Sequence, residues 1–119
     1  TQKILSKDIT VNATAVRVPV LIGHSESVTI ETELPIDIKD VMSDFKNNEG
    51  IELIDNPSKD EYPTAFVNGH GTDKVYVGRV RKSLSSDNIL NIWVVADNVR
   101  KGAALNSVQI AEELTKGAK

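Results

Sequence analysis

The most constraining feature of the sequence is the run from Ile89 to Ala96, in which every residue except Asn91 is apolar. A strand that is apolar on both faces has to be covered on both sides, so this run predicts the central strand of a sheet or a strand at an interface. The polar pair Asp97-Asn98 is expected to end it. The chain is therefore expected to contain a sheet that other layers cover.

Four other stretches have the β-branched or alternating pattern of strands. They are Ile9 to Val18, Ser27 to Glu33, Ile51 to Ile54 and Lys74 to Lys82, with Tyr62 to Val67 also extended. The first two are expected to be neighbours, joined by a loop that carries His24. In the last, simple alternation puts Val77 and Val80 on opposite faces, with Arg79 and Arg81 on the face of Val77.

Two helices are predicted between and after these strands. Apolar residues repeat at helical spacing from Ile38 to Phe45, with Asp37 as the N-cap and Gly50 as the C-terminal stop. Ala103 to Leu114 predicts a second helix, whose small residues would allow close approach to a sheet or a neighbouring domain. The fold class is therefore α+β: one mixed β-sheet with helices packed mainly on one face.

Composition excludes several classes of function. The net charge of -3 and the pI of about 5.3 do not favour nucleic acid as a partner. The chain has no cysteine, which excludes disulfides, cysteine-ligated zinc and a thiol nucleophile supplied by these residues. No run approaches the roughly 18 apolar residues of a membrane span, and no signal peptide is visible, so a cytoplasmic protein is expected. The start at Thr1, without Met, suggests a fragment.

Arg17 and His24 lie at either end of an apolar run that Pro19 and Gly23 interrupt. Because proline lacks a ladder donor and glycine tolerates a positive φ, the strand is expected to end near Pro19 and His24 to lie on a turn. A guanidinium binds planar carboxylates or phosphates bidentately, and an imidazole exchanges protons near neutrality. The pair is a candidate for anion binding and acid–base chemistry. The alternative is a solvated arginine and an ordinary turn histidine.

The segment from Val16 to Glu26, V-R-V-P-V-L-I-G-H-S-E, resembles the histidine-bearing motif of the aspartate-semialdehyde dehydrogenase family. The run from Asp97 to Ala111 resembles that family's closing helix. Tyr62-Pro63 and the V-G-R-V-R of Val77 to Arg81 fall between them in the family's order. The resemblance covers nearly the whole chain, and it departs from the family at Ala15, where many relatives carry a cysteine that is not the nucleophile.

The resemblance implies a fold like the C-terminal domain of glyceraldehyde-3-phosphate dehydrogenase, with residues 1–119 as the C-terminal portion of a catalytic and dimerisation domain. The implied parent activity is the NADPH-dependent reduction of β-aspartyl phosphate to aspartate semialdehyde and phosphate, in lysine, threonine and methionine biosynthesis. The NADP-binding domain and the thioester-forming cysteine would lie upstream of Thr1. The chain alone is therefore expected to be inactive, and a homodimer is expected.

The same resemblance implies roles for individual residues. By position, Arg17 would bind the substrate α-carboxylate, and His24 would deprotonate the thiol and then handle protons on the thiohemiacetal oxygen. Glu26 would orient His24, or is simply solvated. Asn98 matches a position near the cofactor, where an amide would pair with the nicotinamide carboxamide; a helix cap is the alternative. No metal ligand set is predicted, since His70 lies in a Gly-rich turn and no histidine pair exists.

Two other functions stay open. A related acyl-phosphate reductase of the N-acetylglutamyl phosphate type shares the chemical scheme, although its histidine motif differs. A non-catalytic module that uses the sheet only to dimerise would need no acid–base residue. Turnover of the parent protein with each acyl phosphate, and after replacement of His24 by Ala, would distinguish the three.

Overall fold

The computed structural model describes residues 2–116, which form a four-stranded sheet with two helices. The strands are β1 (His24–Glu31), β2 (Ile51–Leu53), β3 (Val75–Lys82) and β4 (Ile89–Ala96). They lie in the order β1-β4-β3-β2. Strand β4 is antiparallel to both neighbours and β2 is parallel to β3, so the sheet is mixed and the predicted α+β class is confirmed.

Strand β4 is covered on both faces, as the apolar run predicts. On one face Leu90 and Ile92 belong to the hydrophobic core and are 5% and 8% exposed. On the other face Val95 is fully buried, and the indole of Trp93 donates a hydrogen bond to the Pro63 carbonyl at 2.9 Å. The loop that follows β2 therefore forms the second cover, and β4 is the central strand rather than a bare surface strand.

Helix α1 (Ile38–Asn47) provides the first cover. The Asp37 carboxylate accepts a hydrogen bond from the Lys39 amide at 2.8 Å, so the predicted N-cap is confirmed. Its apolar residues pack against the core of Val77, Val80, Leu90 and Ile92, which confirms the core role predicted from their spacing. The helix ends at Asn47, three residues before the predicted stop at Gly50.

Strand β3 contains a bulge that the sequence analysis missed. The pairing with β4 shifts between Gly78 and Arg81, and Arg79 has a φ of 55°. An extra residue in one strand turns the following side chains over. Val77 and Val80 therefore lie in the same core, and their predicted placement on opposite faces is wrong.

The predicted strand Ile9 to Val18 is wrong, because this segment has no regular structure. Its β-branched residues specify an alternating pattern, but a strand also needs a hydrogen-bonded neighbour, and no strand within residues 2–116 pairs with it. Strand β1 pairs with β4 instead, so the expected pairing of Ser27 to Glu33 with the first segment is also wrong. The strand character of Ser27 to Glu31 is confirmed.

Two other segments differ from the predictions. Tyr62 to Val67 is not extended throughout, because the amides of Asn68 and Gly69 donate to the carbonyls of Thr64 and Ala65 and close a turn. The second helix is confirmed as α2 (Leu105–Lys116), entered through a π-helical turn at Arg100–Ala104. None of the residues of α2 is buried, so the close packing that its small residues suggested does not occur within the described chain.

Candidate functional site

His24 is the first residue of β1 and lies opposite Ala96 in the ladder with β4. The prediction that His24 lies on a turn is therefore wrong. The side chain of His24 is exposed, so its imidazole is accessible while its backbone is part of the sheet. This combination suits a group that has to meet a reactant supplied from elsewhere.

Gly23 connects this strand to the irregular segment upstream, and its conformation requires glycine. Its φ is +94°, and a Cβ placed there would lie 2.7 Å from the Gly69 carbonyl oxygen and 3.3 Å from the Ala65 side chain. Gly23 is buried against the turn that covers β4. The residue before His24 is thus held in a site that no larger side chain fits.

Asn98, the predicted cofactor contact, lies beside this glycine. Its side-chain oxygen accepts a hydrogen bond from the Gly23 amide at 2.9 Å, across 75 positions of sequence. The side-chain nitrogen of Asn98 donates to no group within residues 2–116. The structure therefore brings Asn98 and the His24 strand together, a proximity that the sequence analysis did not predict.

Asp97 is the site residue that the sequence analysis missed, having treated it only as the end of a strand. It is 3% exposed, and its carboxylate accepts hydrogen bonds from the amides of Gly71 at 2.8 Å, Val99 at 2.9 Å and Arg100 at 3.1 Å. The Gly71 bond is the largest of the causes that lower the pKa of Asp97, and they outweigh the opposing effect of burial. The sequence signal that could have identified Asp97 is its position between a predicted buried strand and a predicted helix, where aspartate often caps the helix.

Arg17 lies in the exposed irregular segment, and its guanidinium makes no hydrogen bond or ion pair with residues 2–116. Glu26 shares a strand face with His24, but no hydrogen bond joins their side chains in the described part of the chain. The convergence of Arg17 and His24 on one cleft, and the orienting role of Glu26, stay predictions.

Two surface depressions lie along α2 and away from these residues. One is lined by Lys101, Asn106, Gln109, Ile110, Glu113 and Leu114, and the next by Arg100, Ala104, Leu105 and Val108. Both are shallow and open, and neither includes His24, Arg17 or Asn98. In the described residues no three His, Asp or Glu side chains are grouped as metal ligands, and no helix is both long and apolar enough to cross a membrane.

A family model described as "Semialdehyde dehydrogenase, dimerisation domain" matches residues 1–101. The chain belongs to the semialdehyde dehydrogenase family. The match contains β1 to β4, Gly23, His24 and the Asp97-Asn98 pair, so the site lies within the residues that the family model matches.

Curated relatives of this semialdehyde dehydrogenase domain are aspartate-semialdehyde dehydrogenases. Those of Shewanella sp. and Aquifex aeolicus are 56% and 50% identical to it over 117 residues, which is 98% of this chain and 34% of each relative. The resemblance predicted from the two long motifs is thereby confirmed. The chain spans about a third of the length of these relatives.

Solved structures agree with the sequence comparison. Aspartate semialdehyde dehydrogenase II from Vibrio cholerae, in a complex with ASA, superposes with a TM-score of 0.88 at 50% identity, over 97% of this chain and 34% of that one. A probable aspartate-semialdehyde dehydrogenase from Pseudomonas aeruginosa gives 0.76 at 40% identity, over 85% and 29%. The semialdehyde dehydrogenase domain therefore has the fold found in these enzymes.

Proposed function

We propose that the chain is the C-terminal portion of the catalytic and dimerisation domain of an NADP-dependent aspartate-semialdehyde dehydrogenase. The parent protein would convert β-aspartyl phosphate to aspartate semialdehyde and phosphate in lysine, threonine and methionine biosynthesis. The observation that carries this proposal is the 56% identity to an aspartate-semialdehyde dehydrogenase over 98% of the chain. Because the chain spans 34% of that relative, the activity would belong to the whole protein and not to these residues alone.

His24 is the proposed acid–base residue. A cysteine from outside the chain would lose its thiol proton to the imidazole, and the thiolate would attack the acyl carbon and expel phosphate, leaving a thioester. The same imidazole would later handle the proton of the thiohemiacetal oxygen as the aldehyde is released. The exposed side chain on a fixed strand supports this role, because it is open to a thiol that another part of the protein supplies.

Arg17 is the proposed partner of the substrate α-carboxylate. A guanidinium forms two parallel hydrogen bonds with a carboxylate, and the Arg17 side chain has no competing partner within residues 2–116. It lies six positions upstream of Gly23, on the segment that joins directly to β1.

NADP, when bound, would supply hydride, and most of its contacts would come from the N-terminal domain of the parent. Within this chain Asn98 is the proposed contact. Its side-chain nitrogen is free of partners in residues 2–116 and is a donor suited to a carboxamide oxygen, whereas its oxygen is already used by the Gly23 amide. The residue fits the cofactor through one atom of its side chain.

We also propose that the parent is a cytoplasmic homodimer. The family match to a dimerisation domain supports the self-association. Exposed apolar side chains support it as well, because several of those in the described chain follow one another along a single segment, among them Ile9, Val11, Val16, Val18 and Leu21. Strand β4 does not contribute to this exposed surface, since it is covered on both faces.

The substrate assignment is tested on the full-length parent with two acyl phosphates. We expect turnover with β-aspartyl phosphate. We expect little with N-acetylglutamyl phosphate, because its α-amino group is acylated and is no longer free. Replacement of Arg17 by Ala should raise KM for β-aspartyl phosphate, with partial recovery in Arg17→Lys because an ammonium cannot bind a carboxylate bidentately. Preference for the second substrate would favour the related reductase. Absence of turnover with both would favour the dimerisation module.

A further inference from the structure

Two residues at the end of β4 hold the backbone around His24. Ala96 pairs with His24 in the ladder, and the side-chain oxygen of Asn98 accepts the Gly23 amide. Asp97, between them, binds the amides that start the following helical turn. The backbone of His24 is therefore fixed from the strand side by the sheet. On the upstream side it is fixed by Asn98.

A contact that fixes Gly23 is needed on the upstream side, because no helix or strand precedes it in the described residues. Residues 9–22 form neither helix nor strand, and Gly23 has the widest conformational freedom of any residue type. The turn at Ala65 and Gly69 limits the space around Gly23 but does not bond to its amide. The 2.9 Å hydrogen bond to Asn98 is thus the polar contact at the junction between two segments. The irregular segment before it carries Arg17, and the strand after it carries His24.

We propose that Asn98 is a positioning residue, which sets the place of His24 and of the Arg17 segment by accepting the Gly23 amide. The proposal rests on the proposed function and assigns the side-chain oxygen of Asn98 a task separate from any cofactor contact. The two tasks use different atoms, because a Gly23 amide needs an acceptor and a nicotinamide carboxamide oxygen needs a donor. A substitution that keeps the acceptor and removes the donor therefore distinguishes the two tasks.

The test uses the full-length parent and three variants. Asn98→Asp keeps an oxygen acceptor and removes the donor, whereas Asn98→Ala removes both. Asn91→Ala is the matched control, because Asn91 accepts the Thr29 hydroxyl at 2.8 Å across the same pair of strands, away from Gly23. The readouts are amide hydrogen exchange at Gly23 and steady-state kinetics with acyl phosphate and NADPH varied separately.

In Asn98→Ala we expect faster exchange at Gly23, a fall in kcat of about 10- to 100-fold from misplacement of the acid–base group, and a higher KM for the acyl phosphate. The KM for NADPH should rise in Asn98→Ala and in Asn98→Asp alike, because both variants lack the side-chain donor proposed for the cofactor. Asn98→Asp should restore slow exchange at Gly23 and most of the turnover. Asn91→Ala should match the wild-type protein in all of these readouts.

The proposal is overturned if Asn98→Ala leaves Gly23 exchange and kcat unchanged. It is also overturned if Asn98→Asp and Asn98→Ala raise the KM for NADPH equally while Gly23 stays protected, because the donor alone would then matter. If Asn98→Ala does not fold, Asn98→Ser takes its place in the test, because the shorter serine side chain removes the acceptor from the Gly23 amide. Failure of the proposed function looks different: the wild-type parent would then show no turnover of β-aspartyl phosphate, or His24→Ala would keep the wild-type turnover, whatever Gly23 exchange shows.

Discussion

The Asp97 carboxylate accepts a hydrogen bond from the Gly71 amide at 2.8 Å, which joins the end of the central strand to the loop that covers it. The other oxygen of Asp97 accepts the amides of Val99 and Arg100, where the helical turn begins. One buried carboxylate therefore holds three backbone segments in place: the end of β4, the His70 loop and the start of the C-terminal helix.

Replacing Asp97 by Asn should destabilise the full-length protein near neutral pH. One carboxylate oxygen becomes an NH2 group that faces backbone donors, and the side chain is almost fully buried. We expect a lower urea midpoint for unfolding. Asp73→Asn is the control, because Asp73 is exposed and pairs with Arg100 at the surface, so its midpoint should be close to wild type.

The effect of Asp97 should depend on pH in one direction. Its folded-state pKa is lowered from the usual 3.8, so the carboxylate stabilises the folded state above that value, and this contribution is lost as pH falls through the lower folded pKa. The difference in urea midpoint between wild type and Asp97→Asn should therefore be constant from pH 7 to about pH 5 and narrow below pH 4. A difference that grows on acidification would contradict this assignment.

Gly23→Ala should reduce both stability and turnover. The positive φ costs a non-glycine residue on the order of 1–3 kcal/mol, and the new methyl group would meet the Gly69 carbonyl oxygen. Gly71→Ala is the matched control, since its φ is +69° but no atom lies within 4 Å of the added Cβ. It should lose about 1 kcal/mol from backbone strain and keep its turnover. Equal losses in both variants would mean that the close approach at Gly23 has no consequence.

Leu90→Ala should be far more destabilising than Leu84→Ala. Leu90 lies in the core of the sheet at 5% exposure, and Leu84 projects into solvent at 108%. Truncation of a buried leucine costs about 2–5 kcal/mol, whereas the exposed change should stay within about 0.5 kcal/mol. Urea unfolding of the two variants measures the difference, and similar midpoints would place the core elsewhere.

The elements that were predicted correctly from the sequence are those that local periodicity determines. The apolar run of β4 and the stripe of α1 each bury a face that their spacing defines, and both were confirmed. Asp37 was also found, because capping depends on residues within one turn. The α+β class follows from these elements, since a strand buried on both faces and an amphipathic helix together require a layered sheet.

The errors concern features that distant residues decide. The bulge at Arg79 depends on how β3 meets β4, and the positive φ occurs at Arg79 rather than at the neighbouring Gly78, where glycine would favour it. The irregular course of Ile9 to Val18 depends on whether a neighbouring strand is present. The contact between Asn98 and Gly23 spans 75 positions, so the link between the two motifs became visible only in the fold.

The central claim is that His24 is the acid–base residue of the full-length enzyme. Steady-state turnover of β-aspartyl phosphate reduction by His24→Ala tests it most directly, with His70→Ala as control because His70 is the chain's other histidine and is exposed. Loss of a positioned proton-transfer group costs about 10²- to 10⁴-fold. We predict such a fall in kcat for His24→Ala and none for His70→Ala, and unchanged kcat in His24→Ala would contradict the account.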